Sequence, residues 1–356
     1  MAISKFAGKA QTVLGLMDGT ELGVTLPHEH LIMEHVTANF NEPTNDDGKA
    51  MAQKPVSLEI LHWLQYHRAG NRDNMNLLDE PEAIAEALLF KEAGGGTIVD
   101  VTNIGIARDP QALARVSRAT GLHIIMGAGH YLATSHPADM STRTEEAITE
   151  EIVRDITVGV DNTSIRAGLI GEIGCSWPLL DNEKKAMRAA ARAQQRTGAP
   201  LNIHPGRKVN VAVLEILEIL QDAGADLTRT VMSHIDIRVR DHSSRCQVAK
   251  TGVYLEYDCF GWSGPPPVIL YQDPEVDVPS DTQRIREIRQ LIDEGYLNQI
   301  LISHDICHKN QRARYGGAGY DHIPKFVIPL MRMKGLTDEQ INTITVENPK
   351  RLLCFI

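Results

Sequence analysis

The sequence predicts a (β/α)8 barrel, the TIM-barrel architecture, and three features carry that expectation. Eight short apolar runs alternate with stretches of helical length and periodicity, a pattern that implies parallel strands joined by right-handed crossovers. Neither G-x-G-x-x-G nor G-x-x-x-x-G-K-[S/T] occurs, whereas an open doubly wound sheet would carry such a phosphate loop after its first strand. The strands also end in polar residues of one chemical kind, on the rim where barrels place their active sites.

The elements follow in order. Residues 12–25 read as a hairpin turning at Asp18-Gly19. The first barrel strand then runs into His28-Glu29-His30. Residues 39–79 are polar apart from an amphipathic piece at 58–66, and a segment of that length fits a lid over the mouth. A helix at 81–93 is acidic at its start and closed by Gly94-Gly95-Gly96. Strand 97–101, helix 110–120, strand 122–126, helix 144–158 and strand 168–173 continue the rhythm. It is completed by helix 183–196, strand 200–204, helix 211–223, strand 230–234, strand 252–257, helix 282–294 and strand 299–303, with helical stretches at 326–333 and 338–345. No Pro/Ser/Gly-rich linker interrupts it, so residues 1–356 are expected to form one domain.

A formal charge of −10 argues against nucleic acid and anionic membrane surfaces as partners, and leaves a small-molecule substrate. No apolar run reaches the roughly eighteen residues of a membrane span, and residues 1–11 lack the apolar core of a signal peptide. The five cysteines are scattered, without C-x-x-C spacing. That usage fits reduced thiols and a cytoplasmic location.

His28 and His30 lie at i and i+2, so on a strand both imidazoles face one side and can grip one ion. Alone, such a pair is common in cores and on surfaces. Downstream, however, strand four ends in Glu172, strand five in His204 and strand six in His234, and strand eight runs into Asp305. Each could singly be a cap or a packed core residue; six metal-compatible groups at the same phase of successive βα units are not explained by capping. Their nitrogen and oxygen donors suit two divalent ions, Zn²⁺ first, with Mn²⁺ or Co²⁺ as substitutes. Strands one and eight are neighbours when a barrel closes, so His28, His30 and Asp305 would hold the inner ion. His204 and His234 would hold the outer one, with Glu172 bridging. Such a pair shares a hydroxide able to attack a C=O or P=O, and Asp305 would take its proton as general base.

The ordered stretches Leu26-Pro27-His28-Glu29-His30, Gly171-Glu172-Ile173-Gly174-Cys175, Ile203-His204-Pro205-Gly206-Arg207, Met232-Ser233-His234-Ile235-Asp236, Tyr254-Leu255-Glu256-Tyr257-Asp258 and Ser303-His304-Asp305-Ile306 resemble the phosphotriesterase branch of the amidohydrolase superfamily, and within it the phosphotriesterase-related proteins. The resemblance runs over nearly the whole chain. It implies a binuclear barrel whose ligand positions coincide with those assigned above, in a group whose members hydrolyse lactones, carboxylic esters and N-acyl amides and often form homodimers. Two departures stand out. Many such enzymes bridge their metals with a carboxylated lysine where this chain has Glu172. Organophosphate hydrolases place a proton-relaying histidine near the end of strand seven, where this chain has Asp258-Cys259-Phe260. Asp258 could take over that relay. The expected activity is therefore metal-dependent hydrolysis of a small carboxylic ester, lactone or N-acyl amide. Phosphotriester hydrolysis, or a non-catalytic small-molecule binding barrel, are the alternatives. Arg207 could clamp a substrate carboxylate, sulfonate or phosphate, while Tyr131 and Tyr257, with Asp258, could complete the substrate contacts.

Overall fold

The computed structural model describes residues 6–207, 210–262 and 278–356. A short antiparallel hairpin, β1 (Lys9–Thr12) and β2 (Gly15–Asp18), precedes eight parallel strands. These are β3 (Val24–Glu29), β4 (Gly95–Asp100), β5 (His123–Ala128), β6 (Leu169–Gly174), β7 (Leu201–His204), β8 (Thr230–Met232), β9 (Tyr254–Tyr257) and β10 (Ile300–Ile302), each hydrogen-bonded to the next in chain order. Helices pack outside them, as the βα alternation predicts.

β3 and β10 meet through side chains as well as backbone. The His28 N–H donates to Ser303 Oγ at 3.1 Å, and the Asp305 N–H donates to the His28 carbonyl at 3.3 Å. Glu29, fully buried, turns its carboxylate the opposite way from His28 and His30. Its two oxygens accept from Ser303 Oγ and from the backbone N–H groups of His304 and Ile306, at 2.8–3.0 Å. One in-strand carboxylate thus fixes the loop that delivers Asp305. The core is aliphatic: Leu26, Ile98, Ile124, Ile170, Ile203, Met232 and Leu255 are all fully buried.

The hairpin lies earlier than expected. Its turn is Val13-Leu14, between paired Thr12 and Gly15. Asp18 does not open a two-residue turn; its carboxylate accepts from the Thr20 N–H at 2.9 Å and starts a 3-10 turn over Gly19–Glu21, after which Val24 joins the barrel. The Asp-Gly pair reads as a hairpin turn only while that side-chain acceptor is ignored.

Residues 39–79 form the helices Asp46–Ala52 and Leu58–Tyr66 with 3-10 turns at Arg68–Gly70 and Asp73–Met75. Asn39, Arg68 and Ala69 from this segment line the cleft at the strands' C-terminal ends. Among the described residues no helix is long and apolar enough to cross a membrane.

Candidate metal centre at the barrel mouth

Six side chains from five strands converge in this mouth. Alternation along β3 directs His28 inward, and His30 follows on the same side. Glu172 sits in β6, His204 ends β7, and His234 and Asp305 follow β8 and β10. His234 and Asp305 adopt left-handed backbone, with φ 58° and 51°. Non-glycine residues take that conformation at a cost, and they do so mostly where a side chain must be aimed. Asp258 holds His234 there, accepting from its backbone N–H at 2.9 Å and contacting its Nδ1 at 2.8 Å.

The inward nitrogens of His28 and His30 are spaced from the carboxylates as fellow ligands rather than as hydrogen-bond partners. His30 Nε2 lies 3.4 Å from Glu172 Oε1 and 3.4 Å from Asp305 Oδ1. His28 Nε2 lies 3.6 Å from Glu172 Oε2 and 3.8 Å from Asp305 Oδ1. Two bonds of about 2.1 Å at a tetrahedral angle place their ligand atoms about 3.4 Å apart. His28 Nε2 is moreover buried without a hydrogen-bond partner among the described residues. His204 Nδ1 stands 3.0 Å from Glu172 Oε2 and 2.8 Å from His234 Nε2. His28, His30 and Asp305 form one group of mutually close donors, and His28, Glu172 and His234 another. The donor set fits divalent cations: His28 is common to the two groups, and Glu172 reaches beyond its own, with Oε1 3.4 Å from His30 and Oε2 3.0 Å from His204.

The ring nitrogens facing away from the centre are tied down as well. His28 Nδ1 contacts Glu256 Oε2 at 2.9 Å, and His30 Nδ1 contacts Thr102 Oγ1 at 2.9 Å. Glu256 Oε2 also accepts from Ser233 Oγ at 2.8 Å and Asn202 Nδ2 at 3.0 Å. Such outer bonds fix the tautomer that presents Nε2 to an ion. Thr102, Asn202, Ser233 and Glu256 were not foreseen from sequence. We expect Glu256→Gln to weaken metal retention about 10- to 100-fold, read by competition with a chelator; retention equal to wild type would remove Glu256 from this role.

Two sequence expectations are corrected here. Tyr257 does not reach the mouth: Glu256 points into the barrel, so period-two alternation turns Tyr257 outward into the core, fully buried. Asp258 does not face substrate space either, being fully buried behind His234. Tyr131 and Arg207 do line the cleft, which has a volume of about 100 Å³, and the Tyr131 hydroxyl is 3.5 Å from His204 Nε2. Lys184 and Lys185 lie elsewhere, on Glu215 and on the carbonyls of Met140 and Arg143.

The electrostatics favour cations. Burial opposes protonation of His30, but hydrogen bonds to Asp305 and Glu172 outweigh it and raise its pKa to about 9. Burial likewise opposes ionisation of Glu172 and Asp305, yet the surrounding imidazoles hold both carboxyls well below the usual range. His204 is the exception, lowered to about 4 by burial despite Glu172. In the metal-free protein, protonated His30 contributes stability that is fully present below pH 6.5 and lost as pH rises through about 9. Metal needs the neutral ring, so its affinity runs the other way, rising with pH up to about 9. Calorimetric titration of apoprotein with Zn²⁺ in buffers of different ionisation enthalpy should show protons released at pH 7 and fewer above pH 9; no release at pH 7 would contradict this account.

Comparison with known proteins gives the family of the chain. The model of the Phosphotriesterase family matches residues 8–353. N-acetyltaurine hydrolase of Danio rerio is 44% identical over 99% of this chain and 100% of its own length. The structure of a resiniferatoxin-binding protein from Rhodobacter sphaeroides superposes with a TM-score of 0.92 at 39% identity, over 97% of this chain and 95% of that one. A mutant of a phosphotriesterase-like lactonase from Deinococcus radiodurans gives a TM-score of 0.74 at 27% identity, over 97% and 99% of the two chains.

Proposed function

The chain belongs to the phosphotriesterase family, and from that premise we propose that this hydrolase is metal-dependent and cleaves small N-acyl amides of the N-acetyltaurine kind. The observation that carries the metal dependence is the convergence of six ligand-type side chains at the barrel mouth, five of them lining one cleft. The relatives named N-acetyltaurine hydrolase, similar over their full length, support the amide. Zn²⁺ is the proposed ion, with Mn²⁺ or Co²⁺ able to replace it.

His28, His30 and Asp305 would hold one ion, His204 and His234 the other, and Glu172 both. Bound there, the pair supplies an activated water and polarises the scissile carbonyl. Asp305 is ionised at neutral pH, since the imidazoles hold its carboxyl low; its free oxygen receives the proton that the water gives up and passes it to the departing nitrogen. Burial, helped by Glu172, pushes the Tyr131 phenol well above its ordinary pKa, so it stays protonated as a donor toward the substrate. Arg207 provides a cation at the rim. Residues 39–79, which bring Asn39, Arg68 and Ala69 to the cleft, act as a lid that excludes water.

The binding-protein alternative draws support from the name of the Rhodobacter sphaeroides structure. The intact six-residue set, including a strained Asp305 that a binder has no use for, weighs against it. Phosphotriester hydrolysis ranks lower because a cysteine and a buried aspartate replace the relay histidine after β9. The test is a parallel assay of metal-verified protein on N-acetyltaurine, an N-acetyl amino acid, a lactone, an aryl ester and a phosphotriester. Preference for an amide supports the proposal; dominant lactone or phosphotriester turnover overturns the substrate, and binding without turnover of any favours the alternative.

A further inference from the structure

One buried cation in the cleft has no ion-pair partner among the described residues. Arg238 closes the short helix Ile235–Arg238 that begins at His234, and its side chain lines the same cleft as Arg207 and Tyr131. It is only 4% exposed. Its Nε donates to the Pro205 carbonyl at 3.3 Å, and its Nη1 is buried without a hydrogen-bond partner among the described residues. Three other buried guanidinia sit on carboxylates, and Arg229 is wrapped by the carbonyls of Gly198, Arg351, Leu352 and Cys354. Arg284 sits on Asp236 at 2.6 Å, Arg312 on Glu82 at 2.8 Å and Arg245 on Glu287 at 3.3 Å. Among the described residues no carboxylate lies within ion-pair distance of Arg238. A buried, uncompensated charge is costly, and here the nearby Arg207 adds repulsion: burial first, then Arg207, lower the pKa of Arg238 to about 10, which leaves it cationic at neutral pH.

Both arginines follow ligand-type histidines, Arg207 three residues after His204 and Arg238 four after His234, so they share the side of the mouth assigned to the outer ion. An anion bound there would remove the repulsion and give the buried Nη1 an acceptor. A guanidinium suits a planar carboxylate or the oxygens of a sulfonate.

We propose that Arg238 anchors a negatively charged group of the substrate, a sulfonate or carboxylate, and so sets a preference for charged over neutral N-acyl amides. This deepens, and rests on, the amide-hydrolase reading above.

The experiment compares metal-loaded wild type with Arg238→Gln and Arg238→Lys on three substrates of similar size: N-acetyltaurine, N-acetyl-β-alanine and the uncharged N-propylacetamide. Removing one member of a desolvated charge pair should raise KM for the charged amides by about 100-fold, with kcat within a few-fold and the neutral amide unaffected. The lysine variant should recover part of the loss, which a merely structural role would not allow. The charged substrate that loses more identifies the anion. Equal losses on charged and neutral amides, or none, overturn the proposal. Independently of turnover, calorimetry with ethanesulfonate and propionate should show binding to wild type that Arg238→Gln abolishes. Arg238-dependent binding without amide hydrolysis would overturn the proposed reaction and keep the anion site; binding indifferent to Arg238 would do the reverse.

Discussion

Asp305→Asn should lower kcat by at least about 10³-fold while the protein remains folded. General-base contributions alone are typically about 10²- to 10⁴-fold, and this carboxylate has a second task. Its Oδ1 faces His28 and His30 at 3.8 and 3.4 Å, so it both completes the inner donor group and receives the proton. Asparagine keeps the volume and an oxygen donor but cannot take a proton at neutral pH. It also removes a negative charge that supports protonation of His30. Metal analysis on the same sample separates the two tasks. If both ions are retained and turnover is lost, Asp305 acts as the base; if one ion goes with the activity, its ligand role dominates. Full turnover with full metal content would exclude it from the chemistry. Folding should survive, because the loop is held by Glu29 through Ser303, His304 and Ile306 rather than by the Asp305 side chain.

That division of labour also marks what could be read from the sequence. The barrel was legible because each strand is a compact apolar run and most crossovers are periodic helices; the exception lies between strands 230–234 and 252–257, where the helix His242–Ala249 was not read from the sequence. The six central residues were legible because a metal site needs His, Asp or Glu at strand ends, and those positions share a phase. The residues behind them were hidden. Glu256 and Asp258 sit at i and i+2 on β9 and just past it, the same relation that exposed His28 and His30. Applied there, it would have placed both carboxylates inward and Tyr257 outward. Thr102, Asn202 and Ser233 carry no such signal, since hydroxyl and amide side chains within or just after strands usually satisfy local backbone. Arg238 was equally silent: a cation in a short helix looks like a surface residue until its burial, with no carboxylate paired to it among the described residues, is seen in three dimensions.

Glu172→Gln should reduce bound metal from two ions toward one and lower kcat/KM by at least about 10²-fold, comparable with loss of other groups that act on developing charge. Glu172 faces His30 on one side and His204 and His234 on the other, with Oε1 3.4 Å from His30 and Oε2 3.0 Å from His204 and 3.9 Å from His234. Glutamine preserves the shape but offers one neutral oxygen where two charged ones stood. The same change should be visible without metal. Glu172 helps to raise the pKa of His30 and of His28, so both imidazoles of the apoprotein should titrate at lower pH in the variant, a shift that NMR of the ring nitrogens would record. Unchanged metal content together with unchanged imidazole titration would sink the bridging role. Because a glutamate is a permanent carboxylate, wild-type metal loading should proceed equally well with carbon dioxide removed. A lysine at this position would need carboxylation first. Loss of loading in carbon-dioxide-free buffer would therefore mean that the bridge is not Glu172, and the donor set would have to be reassigned.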